Sequence, residues 1–96
     1  MKIVWAAQAV DDLADIRAYI ARTSPHYGLV VASRLVAAVD RLTEFPSSGR
    51  VVPELNEPSV RELIEGSYRI VYELHADRLE ILTVFRTSRQ FPRLAR

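Results

Sequence analysis

Apolar and polar residues change period along this chain, and the changes mark its elements. Lys2–Trp5 is a short apolar run rich in strand formers and predicts a first strand. From Gln8 to Arg22 the period becomes helical: Val10, Leu13, Ile16 and Ile20, with Ala9, fall on one stripe. Asp11, Asp12 and Asp15 lie early in that helix, where carboxylates favour the positive end of the dipole, and Arg22 lies at the other end. Thr23-Ser24-Pro25 stops this helix and starts another, with Ser24 as N-cap and Pro25 in the first turn. Val31, Leu35, Ala38, Leu42 and Phe45 then recur at alternating four- and three-residue steps until Pro46. The very short connection predicts an antiparallel helix hairpin.

Pro46 to Ser59 is rich in proline and serine and reads as a loop, long enough to be functional. Three strands follow at Val60–Glu65, Tyr68–Leu74 and Leu79–Arg86, joined by Gly66-Ser67 and by a turn over His75–Arg78. The order βααβββ defines an α+β fold of two layers, a helix hairpin packed on a small, mainly antiparallel sheet, in one domain over residues 1–96. Alternation assigns the faces. Tyr68, Ile70, Tyr72 and Leu74 oppose Arg69, Val71 and Glu73. Arg61, Leu63 and Glu65 oppose Val60, Glu62 and Ile64. Ile81, Thr83 and Phe85 oppose Leu82, Val84 and Arg86. One face packs on the helices; the other, with Arg69 and Arg86, is expected to be partly open.

Composition sets bounds. Apolar residues make up 49% and charged residues 26%, the balance of an ordinary globular domain rather than a disordered chain. A net charge of +1 does not mark a general nucleic-acid binder. The distribution says more: from Ile81 onward the chain carries Arg86, Arg89, Arg93 and Arg96 and no acid. The absence of cysteine excludes disulfides and thiolate chemistry. The N-terminal apolar run meets acids by Asp11 and is too short for a signal peptide or a membrane span, so a cytoplasmic protein without membrane contact is expected. His26 and His75 share no ligand spacing, so no metal site is expected, and no cofactor or small-molecule motif is present.

Arginine is the residue type that stands out. Arg69 sits mid-strand among apolar neighbours and needs an anionic partner. That partner is either a carboxylate of Glu62, Glu65 or Glu80, or a phosphate or carboxylate of another molecule. Arg61 faces the same choice. Tyr68 and Tyr72 are core aromatics or base-stacking platforms. Arg61, Arg69, Tyr72, Arg86, Arg89 and Arg93 form the candidate target-binding set. For metal-free RNA cleavage, Arg69, Arg86 and Arg89 could hold phosphate, Glu62 or Glu73 act as base and Tyr72 as acid, with His75 lying apart. On the helices, Leu29, Val30 and Val36 carry apolar character beyond the main stripe and offer a surface for a partner helix.

The arrangement resembles the RelE/ParE family of bacterial toxins from type II toxin–antitoxin pairs. The resemblance rests on VWAAQAVDDLADIRAYIA, LTEFPSSGRVVPEL, VRELIEGSYRIVYEL and LEILTVFRTSRQFP, in that order and over nearly the whole chain. It implies a small growth-inhibiting toxin, neutralised by a cognate antitoxin in a hetero-oligomer. RelE-like members cleave messenger RNA in the ribosome; ParE-like members poison DNA gyrase and lack the nuclease residues. The strand arginine of the RelE pattern corresponds to Arg69. Its basic residues on the preceding strand fall near Val60 and Glu62. Its later arginine falls near Thr87, flanked by Arg86 and Arg89. Its C-terminal tyrosine falls near Arg93, and a late histidine used by some members would fall near Arg86. The resemblance is therefore closer to ParE-like members, with gyrase as the expected target. The alternatives are a ribosome-dependent endonuclease and a non-toxic member that only binds its antitoxin. A further departure is Ala6, where relatives often place a serine or threonine that caps the first helix.

Overall fold

The computed structural model describes all of residues 1–96. Its elements are β1 (Lys2–Trp5), α1 (Ala7–Ala21), α2 (Pro25–Asp40), a 3-10 turn at Arg41–Thr43, β2 (Arg50–Val51), β3 (Val60–Glu65), β4 (Tyr68–Leu74) and β5 (Arg78–Arg86). The five strands lie in the order β1-β5-β4-β3-β2, with β1 parallel to β5 and the other pairs antiparallel. Two helices on this sheet give the expected α+β architecture with one more strand than the sequence pattern predicts. The addition is β2, two residues inside the Pro46–Ser59 loop that pair with Arg61 and Glu62. A two-residue strand has no alternation to display.

Local chemistry accounts for most boundaries. The Ser24 hydroxyl accepts from the Tyr27 N–H at 3.2 Å and Pro25 occupies the first turn of α2. At α1, Ala6 supplies no side-chain cap and no acid lies in the first turn. Gly66, with φ +57°, opens the two-residue β3–β4 turn, a conformation that favours glycine. Gly28 lets α2 approach α1: a Cβ there would stand 2.8 Å from the Arg17 carbonyl oxygen.

The main core lies between helices and sheet. Leu35, Ala38, Val39 and Leu42 pack on Ile70, Tyr72, Leu79, Ile81 and Val84. Two residues of the expected stripes are not in it. Val10 is 51% exposed because the side of α1 it occupies turns away from the sheet, and Phe45 is 62% exposed because α2 ends at Asp40 and the chain changes course before reaching it.

The second sheet face is closed, not open. Val60, Val71, Leu82 and Phe85 are covered by Val52 and Leu55 of the loop and by Phe91 and Leu94 of the C-terminal tail. The tail is strapped down further: Gln8 donates to the Arg93 carbonyl and accepts from the Ala95 N–H. The expected alternation fails along β5, where the pairing shifts between Val71/Thr83 and Tyr72/Ile81, leaving Leu82 as an extra residue. Beyond this bulge the parity reverses. Val84 joins the helix-side core, Phe85 joins the opposite one, and Arg86 pairs across from Tyr68. Asp12 secures the bulge, its carboxylate accepting from the Thr83 hydroxyl and, at 3.1 Å, from the Val84 N–H.

Candidate functional site

The arginines fall into three environments. Arg69, on the face away from the helices, is 8% exposed. Its Nε donates to Glu62 at 2.5 Å, and both terminal nitrogens donate to Glu54 at 2.7 and 2.8 Å. Its guanidinium lies 5.1 Å from the Phe85 ring centroid and 5.4 Å from that of Phe91. The other oxygen of Glu62, whose side chain is fully buried, accepts from Arg50 at 2.7 Å. Arg50, Glu62, Arg69 and Glu54 thus form a chain of alternating charge. The Arg69 hydrogen bonds hold the Glu54 carboxyl down at about 2, and those from Glu54 push the Arg69 guanidinium further up. The anionic partner that Arg69 requires is supplied from within. Glu65, across the sheet, and Glu80 play no part in it; Glu54 does, and it comes from a loop with no periodic signal.

Arg61 and Tyr72 hold the loop before β3. The Tyr72 side chain is buried on the helix side, where its hydroxyl donates to the Pro46 carbonyl and accepts from the Gly49 N–H, both at 2.9 Å. Burial pushes its phenol pKa up. Arg61 donates to the carbonyls of Pro58, Ser47 and Gly49. Glycine is required at position 49, because a Cβ would stand 2.5 Å from the Tyr72 hydroxyl and 2.6 Å from the Glu62 carbonyl.

Arg86, Arg89 and Arg93 are exposed and carry no ion pair, whereas Arg96 is bound by Glu57 and Glu73. The C-terminal end is thus less basic than its sequence. Arg86 lies over the Tyr68 ring at 5.8 Å and shares a cleft of ≈ 550 Å³ with Arg89, Asp15 and Tyr19. The expected cluster of Arg69 with Arg86 and Arg89 does not form: the bulge sends Arg86 to the helix-side face, while Arg69 lies under the loop and tail. Neither Tyr72 nor His75 is part of the Arg86–Arg89 cleft.

The outer side of the helix hairpin carries a second concavity of ≈ 560 Å³, lined by Val10, Leu13, Ala14, Leu29, Ala32 and Val36 among others. It gathers Leu29 and Val36 but not the half-buried Val30, which faces another side of α2. Val10 belongs to this groove, which explains its exposure. Arg17 and Asp40 supply polar borders. No helix is long and apolar enough to cross a membrane.

Comparison with known proteins agrees with this architecture. Residues 3–91 match the sequence model of the ParE toxin of the type II toxin–antitoxin system parDE. The chain is 37% identical over 95 residues to Y4kP, a candidate toxin of Sinorhizobium fredii, covering 97% of this chain and 95% of that one. It is 36% identical over 90 residues to Toxin RelE2 of Caulobacter vibrioides, covering 81% of this chain and 98% of that one. A solved structure of the chromosomal ParDE system from P. aeruginosa superposes with a TM-score of 0.75 at 25% identity, covering 90% of this chain and 95% of that one. With the family match spanning almost the whole βααβββ frame, the chain belongs to the ParE toxin family of type II toxin–antitoxin systems.

Proposed function

We propose that this toxin acts by holding its target rather than by cutting RNA, with DNA gyrase as the target. The observation that carries the reading is the saturation of Arg69. In the RelE pattern this position supplies a phosphate-binding cation. Here two carboxylates occupy its donors and two phenylalanines cover it. A phosphate could reach it only by displacing the bidentate Glu54 carboxylate or the fully buried Glu62. Tyr72, the candidate acid, has its hydroxyl engaged by the backbone of the loop. The acid and bases read from the sequence, Tyr72, Glu62 and Glu73, lie outside the cleft of the free arginines. Poisoning an enzyme–DNA intermediate needs only a complementary surface. Arg86 and Arg89 in their cleft, with Arg93 beyond, form that surface.

Purified toxin should inhibit gyrase supercoiling and leave messenger RNA on programmed ribosomes intact. Arg86→Ala with Arg89→Ala should weaken the inhibition, and raised salt should do the same. Codon-positioned cleavage of messenger RNA would establish the endonuclease reading instead.

Family membership implies an antitoxin partner. The groove of Val10, Leu13, Leu29 and Val36 suits the apolar face of one of its helices, bordered by Arg17 and Asp40. Amide exchange with and without antitoxin should show new protection across α1 and α2. Protection confined to residues 86–96 would refute this placement.

A further inference from the structure

The two histidines suggest no ligand set by spacing, yet the fold brings one of them between two carboxylates. Glu73 at the end of β4 and Glu80 in β5 are registered directly opposite each other. Like charges in that position repel unless a cation lies between them. The His75 Nε2 stands 3.7 Å from one oxygen of Glu73 and 3.6 Å from one of Glu80. The three potential ligand atoms all lie within 4.8 Å of one another.

We propose that Glu73, His75 and Glu80 form a binding site for a divalent transition-metal cation of the zinc type. Two observations beyond proximity carry this. The Nε2 atom is buried and has no hydrogen-bond partner. Its separations from the carboxylates are too long for hydrogen bonds, which end near about 3.2 Å. They are close to the ~3.4 Å between ligand atoms around a tetrahedral zinc with ligands at about 2.0–2.1 Å. The outer partner is also in place: Arg96 donates to the second oxygen of Glu73 at 3.0 Å, leaving the first turned toward His75. One imidazole and two carboxylates suit a borderline cation better than calcium or magnesium, which prefer all-oxygen shells. The bound ion would join the β4–β5 turn to the C-terminal residue through Glu73 and Arg96.

Titration calorimetry of the full chain with zinc chloride at neutral pH tests the site. One equivalent should bind, and His75→Ala and Glu80→Gln should each weaken binding by about 100-fold, while His26→Ala leaves it unchanged. Circular dichroism verifies that each variant is folded. Cobalt(II) should give visible ligand-field bands that vanish in His75→Ala. Absence of zinc binding in the folded wild-type chain, or unchanged binding in His75→Ala, would overturn the proposal.

Discussion

The Arg69 network gives the sharpest quantitative test of how this toxin is held together. Replacing Arg69 by methionine keeps much of the aliphatic stem but strands the buried Glu62 carboxylate with Arg50 alone. It also frees Glu54 and removes two cation–π contacts. Breaking a buried pair from one side costs about 3–5 kcal/mol. Arg50 still serves one oxygen of Glu62, so the expected loss lies near the lower end, about 3 kcal/mol. In a domain of this size each kcal/mol moves the melting midpoint by about 4–8 °C, so a drop of about 12–24 °C should follow. Thermal melts at neutral pH measure the drop, and urea denaturation the free energy. Removing the opposing charge as well, in Arg69→Met with Glu62→Leu, should restore much of the loss, because an apolar pair leaves no buried ion. A cost below about 1 kcal/mol for Arg69→Met would refute the assignment of Arg69 to the frame. Growth inhibition assayed below the variant's melting point separates stability from target binding. Toxicity should persist wherever the variant is folded.

Three further outcomes follow from the same geometry. Glu54 has a folded pKa of about 2 against an ordinary 4.5, so its contribution is complete above that ordinary value and fades as pH falls toward 2. Its side chain is 40% exposed, so screening reduces the effect to about 1 kcal/mol, and Glu54→Gln should flatten acid unfolding below about pH 4.5 by that amount. Gly49→Ala should destabilise by about 1–3 kcal/mol through its clash with Tyr72 and the Glu62 carbonyl. The clash with Tyr72 should ease in a Tyr72→Phe background, so a double-mutant cycle on thermal melts should show non-additivity. Asp12→Ala should cost about 1–3 kcal/mol by leaving the Thr83 hydroxyl and the Val84 N–H without their acceptor, with amide exchange rising at Val84. Unchanged exchange there would show that another group caps the bulge.

The sequence by itself determined the helix hairpin, the three long strands and their turns, because periodicity, Ser24-Pro25 and Gly66-Ser67 are local signals that tertiary contacts only reinforce. It also determined that Arg69 must find an anion, since an arginine among apolar strand neighbours cannot remain unpaired. Only tertiary structure decided which anion. Glu54 comes from a loop without period, and its approach depends on how that loop folds over the second sheet face. The β5 bulge was equally invisible, since one unpaired residue at Leu82 leaves the composition of the strand unchanged while reversing the faces of Phe85 and Arg86. Asp12 reads as a helix-dipole residue until the end of β1 leaves the Val84 N–H uncovered within its reach. Charge suffered the same limit: Arg96 belongs to a basic tail in sequence but is neutralised in space by Glu57 and Glu73. Periodicity reports which side of an element is apolar; it carries no record of which distant polar groups the closed chain brings within hydrogen-bond range.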